Sequence, residues 1–214
     1  PDIIVSDVMM PRMNGYKLCK TIKEDINISH IPVILLTARD DRQSQISGYK
    51  NGADGYLSKP FEVEMLMELI RNRLKNREYT KKRYLNAGLI PTPEESTISL
   101  TDETFLIKLN SIIQENIENS NLGIQFICQE VGLGRSSLYN KLKALTGMGA
   151  NEYISKLRIE KAITLISGTD MPFSEIAEKT GFTTPSYFST AFKQYTGETP
   201  SQYKERKKKG LADK

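Results

Sequence analysis

Apolar residues follow two different spacings along this 214-residue chain, and the change divides it. Ile3-Ile-Val5 and Pro32-Val-Ile-Leu-Leu-Thr37 are continuous runs rich in β-branched residues, which suits strands buried on both faces of a parallel sheet. Ala53 to Pro60 holds a third short strand ending near Lys59. Helical spacing fills the intervals. It covers Tyr16 to Lys23, Ser44 to Asn51, and Glu62 to about Arg77, the last with Phe61, Met65, Leu66, Leu69, Ile70 and Leu74 on its apolar side. Alternating strands and helices predict a βαβ arrangement. Arg71 to Arg83 is strongly basic and continues the preceding helix, read first as a solvated face and otherwise as a contact to DNA phosphates. Leu89 to Ser96, with two prolines, reads as an extended linker. Beyond it only the helical period remains. Thr101 opens a helix of about four turns, carried by Phe105, Leu106, Leu109, Ile112, Ile113 and Ile117.

The last ninety residues contain one pattern twice. Phe126 to Gly147 and Phe173 to Gly197 each read as a short helix, a glycine turn and a second helix ended by Thr-Gly. Cys128, Gly132 and Leu133 align with Ala177, Gly181 and Phe182. Leu138, Leu142 and Leu145 align with Phe188, Phe192 and Tyr195 one residue further on, so the second turn is one residue longer. These apolar positions are expected to face a core. The opposite faces carry Ser136, Asn140 and Lys143, then Ser186, Thr190 and Lys193, small polar and basic groups suited to bases and phosphates. This is the outline of a helix-turn-helix. Asn151 to about Ser167 is apolar nearly all round and predicts a buried, rigid connector helix.

Charge follows the same division. Residues 1–70 carry 8 basic and 10 acidic residues, whereas residues 121–214 carry 14 and 9. An acidic front and a basic back fit a regulatory domain joined to a nucleic-acid-binding one. No apolar run is long enough to span a membrane. The two cysteines, Cys19 and Cys128, read as buried reduced thiols, and the lone His30 argues against a structural zinc site.

Three strand ends offer an acid, a hydroxyl and a cation: Asp7, Thr37 and Lys59. Together with Met9-Met10-Pro11, Gly15, Gly52-Ala53-Asp54, Tyr56 and Lys59-Pro60-Phe61, they resemble the response-regulator receiver domain. The resemblance implies that Asp7 is a phosphoacceptor serving a histidine kinase domain. It also implies that Thr37, Tyr56 and Lys59 form the switch, and that the Lys59–Pro60 bond is cis. Mg²⁺ is expected for an intact receiver. Here only Asp7 and the Met9 carbonyl remain of its ligands, so this fragment is not expected to bind it. The chain opens at what the resemblance makes the third strand, so the fold expected is a truncated doubly wound parallel sheet. Its first strand becomes a bare edge, expected either to pair with another copy of the chain as a homodimer through residues 2–6 or to be poorly ordered.

The second half, most specifically Ile176-Ala177, Gly181-Phe182, Ser186-Tyr187-Phe188 and Thr199-Pro200, resembles the AraC-type DNA-binding domain. That implies an all-α tandem helix-turn-helix bound to double-stranded DNA. Base contacts would come from Arg135, Ser136, Tyr139 and Asn140, and from Pro185, Ser186 and Thr190. Phosphate contacts would come from Lys143, Tyr187 and Lys193. The domains expected are a receiver portion at 1–78, a linker at 79–100 and the DNA-binding domain at 101–209. Within the last, the first helix-turn-helix covers about 124–147, the connector about 151–167 and the second about 173–197. The combination resembles the output end of a hybrid sensor kinase, non-enzymatic in itself and cytoplasmic, within a parent that can be membrane-anchored. The alternatives are a stand-alone response regulator and an interaction module that has lost DNA binding.

Overall fold

The computed structural model describes residues 1–38, 52–87 and 99–212. The helix expected at Ser44 to Asn51 and the linker at Leu89 to Ser96 lie outside the described residues. The chain forms two compact units, Pro1–Ile107 with Ser136–Gly147, and Lys108–Arg135 with Met148–Lys214.

In the first unit, strands β1 (Ile4–Asp7), β2 (Val33–Thr37) and β3 (Gly55–Ser58) form a parallel sheet in that order. The register pairs Asp7 with Leu36 and Thr37 with Ser58, so the three strands end together. Helix α1 (Gly15–Glu24) buries Cys19 and Ile22 with Val8, Val33, Leu35 and Ala53 on one face. Helix α2 (Val63–Ala87) lies on the other, where Ile34 and Leu69 close over Gly55. Alternate residues of β2 therefore serve opposite faces, as its continuous apolar run requires. Two expectations for α2 are corrected. Met65 is 60% exposed and not part of the apolar contact. The basic run is not uniformly solvated, because Arg73 and Arg77, one turn apart, are half-buried. The Arg77 guanidinium donates to the Asp2 carbonyl at 3.3 Å.

Helix α3 (Leu100–Glu115) begins one residue before Thr101. Its cap is Ser99, whose hydroxyl accepts the Asp102 amide at 3.2 Å.

In the second unit, α4 (Ile124–Val131) ends on Gly132, and α5 (Arg135–Thr146) follows and returns to the first unit. Helix α6 (Ala150–Gly168) is the connector, followed by α7 (Phe173–Lys179), α8 (Pro185–Thr196) and α9 (Pro200–Ala212). Ile159, Ala162 and Ile166 of α6 form a core with Ile176, Ala177, Phe182, Phe188, Phe192 and Tyr203. Its aromatic rings stack in tilted and edge-on pairs from Phe182 through Phe188 and Phe192 to Tyr203, with centroids 5.3 to 5.7 Å apart. Tyr195 departs from the expected core stripe. It is 41% exposed, and its hydroxyl lies 3.4 Å from Glu160. At the edge of the core the ring packs on apolar neighbours while its hydroxyl reaches a polar partner.

Candidate functional site

At the carboxyl edge of the sheet, Lys59 donates from Nζ to Asp7 Oδ2, and the Met9 amide donates to Oδ1 at 3.0 Å. Backbone placement makes this possible. The Gly15 amide donates to the Val8 carbonyl at 3.0 Å, and a Cβ on Gly15 would lie 2.4 Å from the Asp7 carbonyl oxygen. Only glycine lets α1 start this close to the strand end. The Lys59 amide donates to the Thr37 carbonyl at 2.6 Å, and the Lys59–Pro60 bond is cis. The Lys59 hydrogen bond, helped by the Met9 amide, holds the Asp7 carboxyl below the usual carboxylate range. Asp7 is thus an ionised, one-third-exposed carboxylate with an ammonium beside it, an arrangement that can act as a nucleophile with a cation placed for developing negative charge. Thr37 is buried beneath the same edge. Tyr56 is half-buried, its hydroxyl 3.3 Å from that of Tyr16.

Among the described residues no three His, Cys, Asp or Glu side chains are grouped to hold a metal ion. One Asp7 oxygen faces an ammonium and the other an amide, so these residues alone do not compose a Mg²⁺ site. Asp54, part of the receiver-like motif, has a structural use. It accepts the Val33 amide at 2.7 Å and pairs with Lys23 at 2.7 Å.

The two repeats share their turn geometry. Gly132 and Gly181 both adopt the left-handed conformation, with φ of 73° and 72°. After each, the next amide reaches back to the last turn, Leu133 to the Cys128 carbonyl at 3.0 Å and Phe182 to the Ala177 carbonyl at 2.9 Å. With the Gly132 amide on the Gln129 carbonyl at 3.3 Å and the Gly181 amide on the Glu178 carbonyl at 2.9 Å, each turn is a Schellman end. The second helices then start at Arg135 and Pro185 and finish on Gly147 and Gly197, also left-handed. The glycine turns are 49 residues apart and the helix starts 50 apart. On α8, Thr184 is the N-cap, accepting the Tyr187 amide at 3.2 Å, and Pro185 fills the first helical position.

The candidate DNA-contacting residues are exposed on both helices: Arg135, Ser136, Tyr139, Asn140 and Lys143, and Pro185, Ser186, Tyr187, Thr190 and Lys193. The Arg135 guanidinium donates to Gln125 at 3.3 Å. Behind them Leu138, Leu142 and Leu145 are buried on α5, as are Phe188 and Phe192 on α8. Two further basic side chains are held within the protein instead. Lys141 is fully buried on α5, and half-buried Arg158 on α6 donates to the Asn119 carbonyl at 2.7 Å and faces the Phe182 ring. Lys141 carried a signal, since it interrupts the leucine stripe where the second copy has Ala191.

Comparison with known proteins agrees with both halves. The response regulator receiver domain family matches residues 1–71, and a helix-turn-helix domain family matches residues 127–206. A histidine kinase of Formosa agariphila is 43% identical over 206 residues, 96% of this chain, and the chain spans 15% of that protein's length. A probable transcriptional regulator, ycf29, of Pyropia yezoensis is 30% identical over 162 residues, covering 71% of this chain and 73% of that one. The C-terminal domain of AraT, a response regulator from Geobacillus stearothermophilus, is 31% identical, with a TM-score of 0.45 over 48% of this chain and 84% of that one. A receiver sheet edge with its acid and lysine in place, followed by two helix-turn-helix repeats, places the chain in a family. It belongs to the two-component response regulators that join a receiver domain to an AraC-type DNA-binding output domain.

Proposed function

We propose that this chain is the phosphorylation-controlled, sequence-specific DNA-binding end of a hybrid sensor kinase. The observation that carries the DNA reading is the repeated second helix. Each copy buries an apolar stripe and leaves a polar and basic face exposed, ended by a left-handed glycine. Asn140 and Arg135 can form the bidentate base contacts that give specificity, whereas Lys143, Tyr187 and Lys193 suit phosphates. Copy one therefore does most of the base reading, and copy two, with Pro185, Ser186 and Thr190, mainly positions. Asp7 accepts a phosphoryl group from a histidine kinase domain, with Lys59 neutralising the phosphoryl oxygens and Thr37 and Tyr56 responding as the switch. The long relative named a histidine kinase, similar across nearly all of this chain, supports the hybrid parentage.

The test is selection of duplexes from a random pool on this chain, followed by anisotropy titration at several salt concentrations. A DNA-binding output domain enriches a shared motif, and its log Kd rises with log salt. Failure to enrich any motif, or binding without salt dependence, would favour the interaction-module reading.

A further inference from the structure

At the edge of the sheet away from Asp7, where β2 and β3 begin, the first compact unit has a small polar cavity of about 90 Å³. Its wall carries Lys23 of α1, His30 ahead of β2, Asp54 ahead of β3, Arg73 and Arg77 of α2, and Asp102 of α3. The charges on this wall do not balance. Each carboxylate already has a lysine, Asp54 pairing with Lys23 at 2.7 Å and Asp102 with Lys141 of α5. Along α2, Glu68 and Glu78 pair with Arg71 and Lys81. The half-buried guanidiniums of Arg73 and Arg77 are left without a paired carboxylate among the described residues. For Arg77, burial outweighs the more distant carboxylates of Asp2, Glu78 and Asp102 and pulls its pKa down.

Two nitrogens of these residues, Arg73 Nε and His30 Nδ1, are buried with no hydrogen-bond partner among the described residues. Buried polar groups in folded proteins find a partner in protein, water or an ion. Beside them the Ser99 hydroxyl, also on the wall, accepts the Asp102 amide at 3.2 Å and has its own proton to give. Water can satisfy a single N–H, but it leaves two desolvated cations uncompensated. An oxyanion does both, because its several oxygens accept from guanidinium, imidazole and hydroxyl together. The cavity volume is that of about three water molecules at roughly 30 Å³ each. It admits an ion of a few heavy atoms and is too small for a nucleoside.

We infer that this cavity is a binding site for a small tetrahedral oxyanion, of the phosphate or sulfate class, held by Arg73, Arg77 and His30 with Ser99. The site lies at the opposite ends of the strands from Asp7 and Lys59 and shares no residue with them. A bound ion joins α2 to the segment before β2 and to the start of α3, and stabilises this unit by mass action. It also sets negative charge beside His30, which otherwise faces Lys23, Arg77 and Lys141 against Asp102 alone.

The chain has one histidine, so a single set of imidazole resonances reports on the cavity. These are followed by NMR on the full chain while sulfate, doubly charged throughout, replaces chloride at constant ionic strength. The expected result is a saturable shift at neutral pH. The His30 titration midpoint, about 4 without sulfate, rises by roughly one pH unit or more. Inorganic phosphate gives the same saturable shift, and AMP, with the same group on a nucleoside too large for the cavity, gives none. Arg73→Gln weakens the sulfate Kd by roughly tenfold or more. A shift that grows linearly with sulfate means an adventitious ion only and overturns the inference, as does an Arg73→Gln response equal to that of the wild type. A matching response to AMP overturns the assignment to a free ion. If Arg73→Gln does not fold, Arg77→Gln takes its place. The wild type decides in either case, since a midpoint unmoved by sulfate overturns the site.

Discussion

A Cβ placed on Gly181 would lie 2.2 Å from the carbonyl oxygen of Ile117, and the residue has a φ of +72°. Its counterpart Gly132 has the same left-handed backbone but meets nothing within 4 Å. The two turns look alike in the sequence, yet one is packed and the other open. Gly132→Ala is therefore expected to destabilise by roughly 1 kcal/mol, the conformational cost alone. Gly181→Ala adds a backbone clash and should cost roughly 3 kcal/mol or more. Denaturant unfolding of both variants measures the difference, and equal losses would contradict the packing described.

The Asp7–Lys59 pair is one-third to two-fifths exposed, so water and salt screen it. Asp7→Asn is expected to leave the unfolding midpoint nearly unchanged, while removing the proposed phosphoacceptor. Thermal and denaturant unfolding check this directly. A large fall in the midpoint would make Asp7 a structural carboxylate instead.

His30 gives the stability a pH dependence. Burial, with Lys141 and Arg77 adding repulsion, pushes its pKa down from 6.5 to about 4; Asp102 opposes and Lys23 adds. Between those values the unfolded chain binds the proton and the folded chain does not. Stability is thus full above about pH 6.5 and falls as pH drops towards 4, by on the order of 3 kcal/mol. His30→Gln should flatten that part of the unfolding-versus-pH curve; an unaltered slope would assign the acid sensitivity to other groups.

Much of this was legible in the sequence, and the remainder has physical reasons. Continuous apolar runs marked β2 and its neighbours because a doubly covered strand needs them, and the register then brought Asp7, Thr37 and Lys59 to one edge. The repeated turns were readable because a left-handed position favours glycine. What spacing could not show was tertiary. Tyr195 occupies a core position in the pattern but lies at an edge with Glu160. Arg73 and Arg77 sit in a basic run yet turn inward. Lys141 looks like a surface lysine until its partners, Ser29 and Asp102, are brought 112 and 39 residues along the chain to meet it.

Lys193 is exposed in the last turn of α8 and is assigned to phosphate. Lys193→Ala should weaken binding to all duplexes alike and reduce the salt slope by about 1. A sequence-dependent loss, read in the same titration, would move Lys193 to the base-reading set.

The most direct test of the central claim compares wild type and Asn140→Ala on the enriched duplex and on its scrambled counterpart. A bidentate base contact is worth roughly 1–3 kcal/mol. The expected result is therefore a loss of about 5- to 150-fold on the enriched duplex and almost none on the scrambled one. Equal loss on both, or no preference by the wild type, would contradict the claim that this chain reads DNA sequence through its first repeat.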